Sequence, residues 1–340
     1  MKIKKSGIVL LSTVLAAGML WLIFASKQTP AAASKTEAKP RKVSSACTEQ
    51  LLIEEVSPAD AAQLKEKART LLKKRTRTLN WKEGYDPEKK SIVTIGTADF
   101  KINDPASNET FFVMREMALK TAVLNARIAL FRHIDQDIPA TDRSNLPGTA
   151  PGRPMALHLI ASKIIAQAES WDQENQKFQV AVMLGWNFES AHLAHAIVTG
   201  KEFKETPAPD AATIQEWLET QDISQLTGPR QYLDKNGERW FLGTAVRAYG
   251  DKLKEPVKIK NQMMAEMFAK QMAVSSVFAA ISKTDRGIVQ TVSVSSIVGL
   301  QLLYRNEITC SMTGQKIYAA VYAISAEDVK AAFQAEKSEK

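Results

Sequence analysis

The stretch QKFQVAV, Gln176 to Val182, returns 139 residues later as QKIYAAV, Gln315 to Val321. Each follows a polar turn and reads as the second strand of a hairpin. If the two are copies of one unit, the chain is a tandem duplication, and further landmarks must recur in the same order.

They do. Tyr85 lies 11 residues before Gly96-Thr97-Ala98, and Tyr232 lies 11 residues before Gly243-Thr244-Ala245. Strand-prone residues lead into both, Ile92 to Ile95 and Trp240 to Leu242, the second after Asn236-Gly237, a strong hairpin turn because both positions tolerate φ > 0. A helix follows in each copy, EMALKTAVLNARIALF over 116–131 and EMFAKQMAVSSVFAAI over 266–281. Ala118, Ala122, Ala126 and Ala129 form a ridge of small residues that lets the first helix lie close on a sheet. Each hairpin then runs into a short helix, over 189–197 and 326–334, the second capped by Ser325 with Asp328. The landmarks recur at offsets of 147, 147, 150 and 139 residues. The expected fold is therefore α+β: two tandem copies of a small antiparallel sheet with one main helix packed on a face.

The strand into a Gly-containing turn, the Ala-rich helix and the long hairpin resemble the N-terminal domain of flagellar assembly protein T and related domains of small exported lipoproteins. The resemblance rests on Gly96-Thr97-Ala98, the 116–131 helix, QKFQVAV and their second-copy counterparts, over roughly residues 85–198 and 232–334. It implies assembly or attachment in the cell envelope through protein contacts, without catalysis. The chain departs from that pattern in lacking a cysteine for lipid attachment after its apolar run.

The charge of +8 is unevenly spread. Residues 1–80 hold 15 Lys or Arg against 6 Asp or Glu, the remainder 30 against 31, so no overall polyanion-binding surface is implied and nucleic acid is not an expected partner. Ile8 to Ala25 is uncharged and follows a basic stretch. That pattern is a signal peptide or a membrane anchor within residues 1–33, with Ala31 and Ala33 suited to cleavage, and either places the rest outside the cytoplasm. Residues 34–56 read as a linker and 57–80 as a basic amphipathic helix started by Ser57 and Pro58. Its Lys73, Lys74, Arg75 and Arg77 could attract an anionic membrane surface, or simply be solvated. The repeats occupy 81–198 and 229–336, joined by a connector over 199–228. Cys47 and Cys310 either form one bridge or remain free thiols.

Chemistry is sparse. His192 and His195 are spaced for one metal ion, but two more ligands are lacking and no metal or other cofactor is expected. No phosphate-binding loop, nucleophile elbow, zinc-protease, CxxC or dinucleotide motif occurs. Glu116 and Glu266, each with a Lys four residues on, suit a helix N-terminus better than acid-base work. Trp171, Trp186 and Trp240 are candidates for a partner surface, or else close a small core. The functional expectation is an exported envelope module that binds a protein partner. The alternatives are a hydrolase with its site in a cleft between the repeats, and polyanion or membrane binding through the basic residues of 65–77.

Overall fold

The chain builds one unit twice, and the computed structural model describes it over residues 66, 82–147, 160–172, 174–277, 279–284, 287–292 and 299–338. The first copy runs β1 (Gly84–Asp86), β2 (Ser91–Lys101), α1 (Phe111–Gln136), the short α2 (Ala140–Arg143), β3 (Lys163–Asp172), β4 (Lys177–Asn187) and α3 (Phe188–Thr199). After the connector helix α4 (Ile214–Glu219) come β5 (Gly228–Leu233), β6 (Arg239–Ala248) and α5 (Glu255–Ser275). A hairpin of β7 (Ala279–Thr284) and β8 (Gly287–Val292) precedes β9 (Gln301–Thr309), β10 (Lys316–Ser325) and α6 (Ala326–Ser338). Both main sheets are antiparallel and four-stranded, in the order β1-β2-β4-β3 and β5-β6-β10-β9. The expected α+β duplication is the architecture found.

The main helix lies unusually close to its sheet in both copies. A Cβ on Gly96 would stand 2.0 Å from the carbonyl oxygen of Ala122 and 2.4 Å from the nitrogen of Ala126. On Gly243 it would stand 2.1 Å from the oxygen of Ala269 and 2.3 Å from the nitrogen of Ala273. Only glycine admits backbone against backbone at that distance. All three equivalences, Gly96 with Gly243, Ala122 with Ala269 and Ala126 with Ala273, are 147 residues apart.

That contact corrects the offsets read from matching letters. The helices align at 147, not 150, so Glu116 is equivalent to Met263 and Glu266 to Leu119. In the strands, Gly96 pairs with Val182 whereas Gly243 pairs with Tyr322, an offset of 140 and not 139. QKFQVAV and QKIYAAV are equivalent strands matched one residue out of register, and one residue turns every side chain to the other face. Tyr85 and Tyr232 are likewise out by one, since Tyr85 pairs with Ile92 and Tyr232 with Trp240.

Local chemistry sets the element ends. Asn187 and Ser190 close a capping box at the start of α3, as do Thr213 and Glu216 for α4. Ser325 and Asp328 cap α6 as expected. The second main helix ends at Ser275, short of the expected 281, and in its last turn the hydroxyls of Ser275 and Ser276 donate back to the carbonyls of Met272 and Ala273, bonds that weaken a helix. It also starts earlier than expected, with Pro256 in its first turn.

The copies share a core. Leu119, Val123 and Val182 of the first belong to one buried cluster with Leu242, Val246 and Val321 of the second and with Ile214, Trp217 and Leu218 of the connector. Residues 1–33, 34–56 and all of 57–80 except Glu66, which is helical and exposed, lie outside the described residues. Among the described residues no helix is long and apolar enough to cross a membrane.

Gly96→Ala and Gly243→Ala each place a methyl group on helix backbone and are expected to lower stability by about 3 kcal/mol or more in urea titrations. Gly250→Ala, whose Cβ meets nothing within 4 Å, should change it by less than about 0.5 kcal/mol.

Candidate functional site

Two polar clusters stand out, one at the junction of the repeats and one within the second repeat. The junction cluster ties the repeats together. Arg115 of α1 makes a two-point pair with Glu169 of β3, Nε to Oε2 at 2.7 Å and Nη2 to Oε1 at 3.0 Å, with each side chain 1% exposed. Its Nη1 donates to the Ser224 carbonyl at 3.0 Å and the Thr227 hydroxyl at 3.2 Å, both in the connector. Burial disfavours the Arg115 charge, but Glu169 outweighs it and holds the guanidinium above its ordinary pKa. Arg230 of β5 donates to the Gln167 oxygen at 2.6 Å, and the Gln167 amide in turn donates to Glu169.

Beside this network, Glu116 accepts from Arg247 of β6 at 2.7 Å and pairs with Lys120 at 3.0 Å. Glu116 is thus a buried cross-repeat acceptor as well as half of the expected pair with Lys120. Lys120 and Arg247 sit 4.6 and 4.5 Å from the centre of the Phe268 ring of α5. Arg127 donates weakly to the Ser275 carbonyl, at the negative end of α5, and burial draws its pKa down to about 10. The alternative reading places a hydrolytic site at this junction; Arg115 with Glu169 and Arg247 with Glu116 are packed and ion-paired there, in the geometry of a clamp, and Arg127 meets a backbone carbonyl.

The second cluster is partly buried, between α5 and the sheet of the second repeat. Glu266 of α5 accepts from the hydroxyls of Tyr318 and Tyr322 of β10 at 3.1 and 3.2 Å, and Arg305 of β9 stands 3.7 Å from it. Burial first, and then the charge of Glu266, pushes the Tyr318 phenol up to about 12 and Tyr322 higher still. Both therefore remain protonated donors at neutral pH, suited to binding and not to proton abstraction. Lys270 lies over the Tyr322 ring and Lys258 over Tyr249.

Along the crest of α5, Ile259, Met263 and Met267 are 49%, 52% and 46% exposed and one helical turn apart. Leu302, 39% exposed, stands on β9, an edge strand with most of its residues in solvent. The position of this stripe is informative. In α1 the residues that grip the second repeat include Arg115, Glu116 and Lys120. Their counterparts 147 residues on are Gln262, Met263 and Met267.

The residues singled out in the sequence disperse. Trp186 is buried, which removes it from a surface role. Trp171 packs on the shared core, and Trp240 is half-buried with its indole donating to Asp234 at 3.3 Å. His192 is exposed and His195 half-buried, and no group of three or more metal-ligating side chains occurs among the described residues. Cys310 is a buried free thiol; Cys47, Lys73, Lys74, Arg75 and Arg77 lie outside the described residues. The Ile259-Met263-Met267 stripe was missed, although its signal is present. Ala265, Ala269 and Ala273 already supply the buried face of that helix, so a second apolar row is surplus to packing.

No protein-family model and no curated protein matches this sequence. The structure is similar to that of a hypothetical protein from Francisella tularensis, with a TM-score of 0.51 and 13% identity over 79% of this chain and 94% of that one. At that identity the likeness is one of fold.

Arg115→Met leaves Glu169 buried without its cation and should cost about 3–5 kcal/mol in urea unfolding, whereas the paired change Arg115→Met with Glu169→Leu should recover most of that loss. Because Tyr318 keeps its proton in the folded chain up to about pH 12 and loses it near pH 10 when unfolded, folding holds more protons across that window. Stability is therefore fully present below pH 10 and falls as pH rises to 12, by at most about 1.4 kcal/mol per pH unit. Urea melts from pH 9 to pH 12 should show a shallower fall for Tyr318→Phe.

Proposed function

We propose that this protein is a non-catalytic binding or assembly module of the cell envelope and that it holds a protein partner on the outer face of its second repeat. One observation carries the reading: the helix face that grips a neighbouring unit in the first repeat recurs in the second as the exposed row Ile259, Met263 and Met267. Contiguous apolar side chains in solvent, bordered by charge, mark interaction sites. Arg115 with Glu169 and Arg247 with Glu116 are paired at the junction, while the outer face offers the half-buried Glu266 carboxylate and, among the described residues, the exposed edge strand β9. The envelope location rests on the basic and apolar pattern of residues 1–25, and the assembly role agrees with the flagellar-assembly resemblance without any flagellar assignment.

Magnitudes limit how the surface can work. Completing the burial of three half-exposed side chains contributes about 1 kcal/mol each. Micromolar binding needs roughly 8 kcal/mol. The crest alone is therefore too small, and the contact must extend onto β9, where backbone groups at the sheet edge can pair with an added strand.

Affinity capture of the full-length protein from cross-linked membranes should recover a stoichiometric partner, and the double variant Met263→Asp, Met267→Asp should recover at least about tenfold less. Both changes are on the surface, so the circular dichroism spectrum should be unaltered. Equal recovery with the double variant would remove this surface from the function.

A further inference from the structure

We infer that the partner of the α5 face is a second copy of this chain, docked head to tail: the β1–β2 strands of one copy against α5 and β9 of the next. The inference names the partner of the surface assigned above and so rests on that reading. The template is inside the molecule. The first repeat receives β5 and β6 of the second on α1, with Glu116 bonded to Arg247, while the edge strand β3 reaches β5 through Gln167 and Arg230. The strands equivalent to β5 and β6 are β1 and β2, and the elements equivalent to α1 and β3 are α5 and β9. Thus the second repeat has an acceptor face that no other described element covers, and the first repeat has the donor strands that fit such a face.

The side chains point to the occupant. The Glu116–Arg247 pair has a counterpart 147 residues away on each side: Met263 for Glu116, and Phe100 for Arg247. Both counterparts of the buried ionic contact are apolar, so that in a head-to-tail pair a methionine meets a phenylalanine where the internal junction has a carboxylate and a guanidinium. Changing one side alone would leave a charge buried without its counterion, which is strongly unfavourable. The same register replaces Lys120 by Met267, and on the edge strand Gln167 by Leu302, since Val182 pairs with Gln167 and its counterpart Tyr322 pairs with Leu302. Phe100 is only partly buried, beside Phe178 and Phe111, and Lys82 and Glu83 next to β1 are exposed. An unrelated partner would explain Met263 and Met267 alone; Phe100, which packs on Phe178 and Phe111 of its own repeat, is the apolar side chain that a second copy would bring to them. A donor and an acceptor on opposite ends of one chain make a heterologous contact, which closes into a ring or runs on as a filament.

The test places a photoreactive benzophenone side chain at position 263 of the full-length protein. It is irradiated both in cells and as a purified equal mixture of ordinary and isotope-labelled chains, and the linked peptides are sequenced by mass spectrometry. Links between chains from position 263 to residues 84–101 are expected, together with at least about a 30-fold loss of self-association in sedimentation velocity for Met263→Asp. Links between chains to residues 255–275 would show a two-fold helix pair and overturn the head-to-tail contact. Links in cells to a different protein, with none between copies, would overturn this inference and leave the binding reading standing. No link in either sample would overturn both.

Discussion

The contact of helix backbone with strand backbone at Gly96 and Gly243 sets the geometry from which everything else follows. A carbonyl oxygen 2.0 or 2.1 Å from where a Cβ would stand leaves no freedom to slide or tilt the helix, because interiors pack as closely as organic crystals. The ridge of Ala122 and Ala126, or of Ala269 and Ala273, is the complement of that glycine. With the main helix fixed on its sheet in this way, the next face of each helix points in a defined direction. In the first copy it points at the second copy; in the second copy it points at solvent.

What the free face contains is then a matter of chemistry at equivalent positions. In the first repeat Leu119, Phe178 and Val182 are fully buried under neighbouring structure. Their counterparts Glu266, Tyr318 and Tyr322 form a hydrogen-bonded group in which the tyrosines are buried and Glu266 is half-buried. Ile259, Met263 and Met267 stand exposed on the same helix, and a departure from local logic at a surface is where function is sought.

The junction between the copies shows the opposite case. Buried charges are costly unless paired and fully hydrogen-bonded, and Arg115, Glu169, Gln167 and Arg230 meet that condition as a set. Apolar packing alone would hold the repeats together in several registers. A two-point guanidinium contact with further partners in the connector, linked through Gln167 to Arg230 of β5, favours one, which fixes where α5 and β9 face relative to β1 and β2.

The amino-acid sequence by itself determined the duplication, the helix and strand types, the turn at Asn236-Gly237 and the cap at Ser325, because these depend on residues within a few positions of one another. It misled wherever identical letters stood in for spatial equivalence. Glu116 and Glu266 look alike in sequence, yet one is a buried acceptor for Arg247 and the other a half-buried acceptor for two tyrosines. Trp186 offered the same composition signal whether it closed a core or faced a partner. Which acidic residue finds which arginine 131 positions away, and which apolar row is left uncovered, were decided by the tertiary structure alone. The physical reason is that burial and charge pairing depend on distances between distant segments, and only the packing of helix on glycine sets those distances.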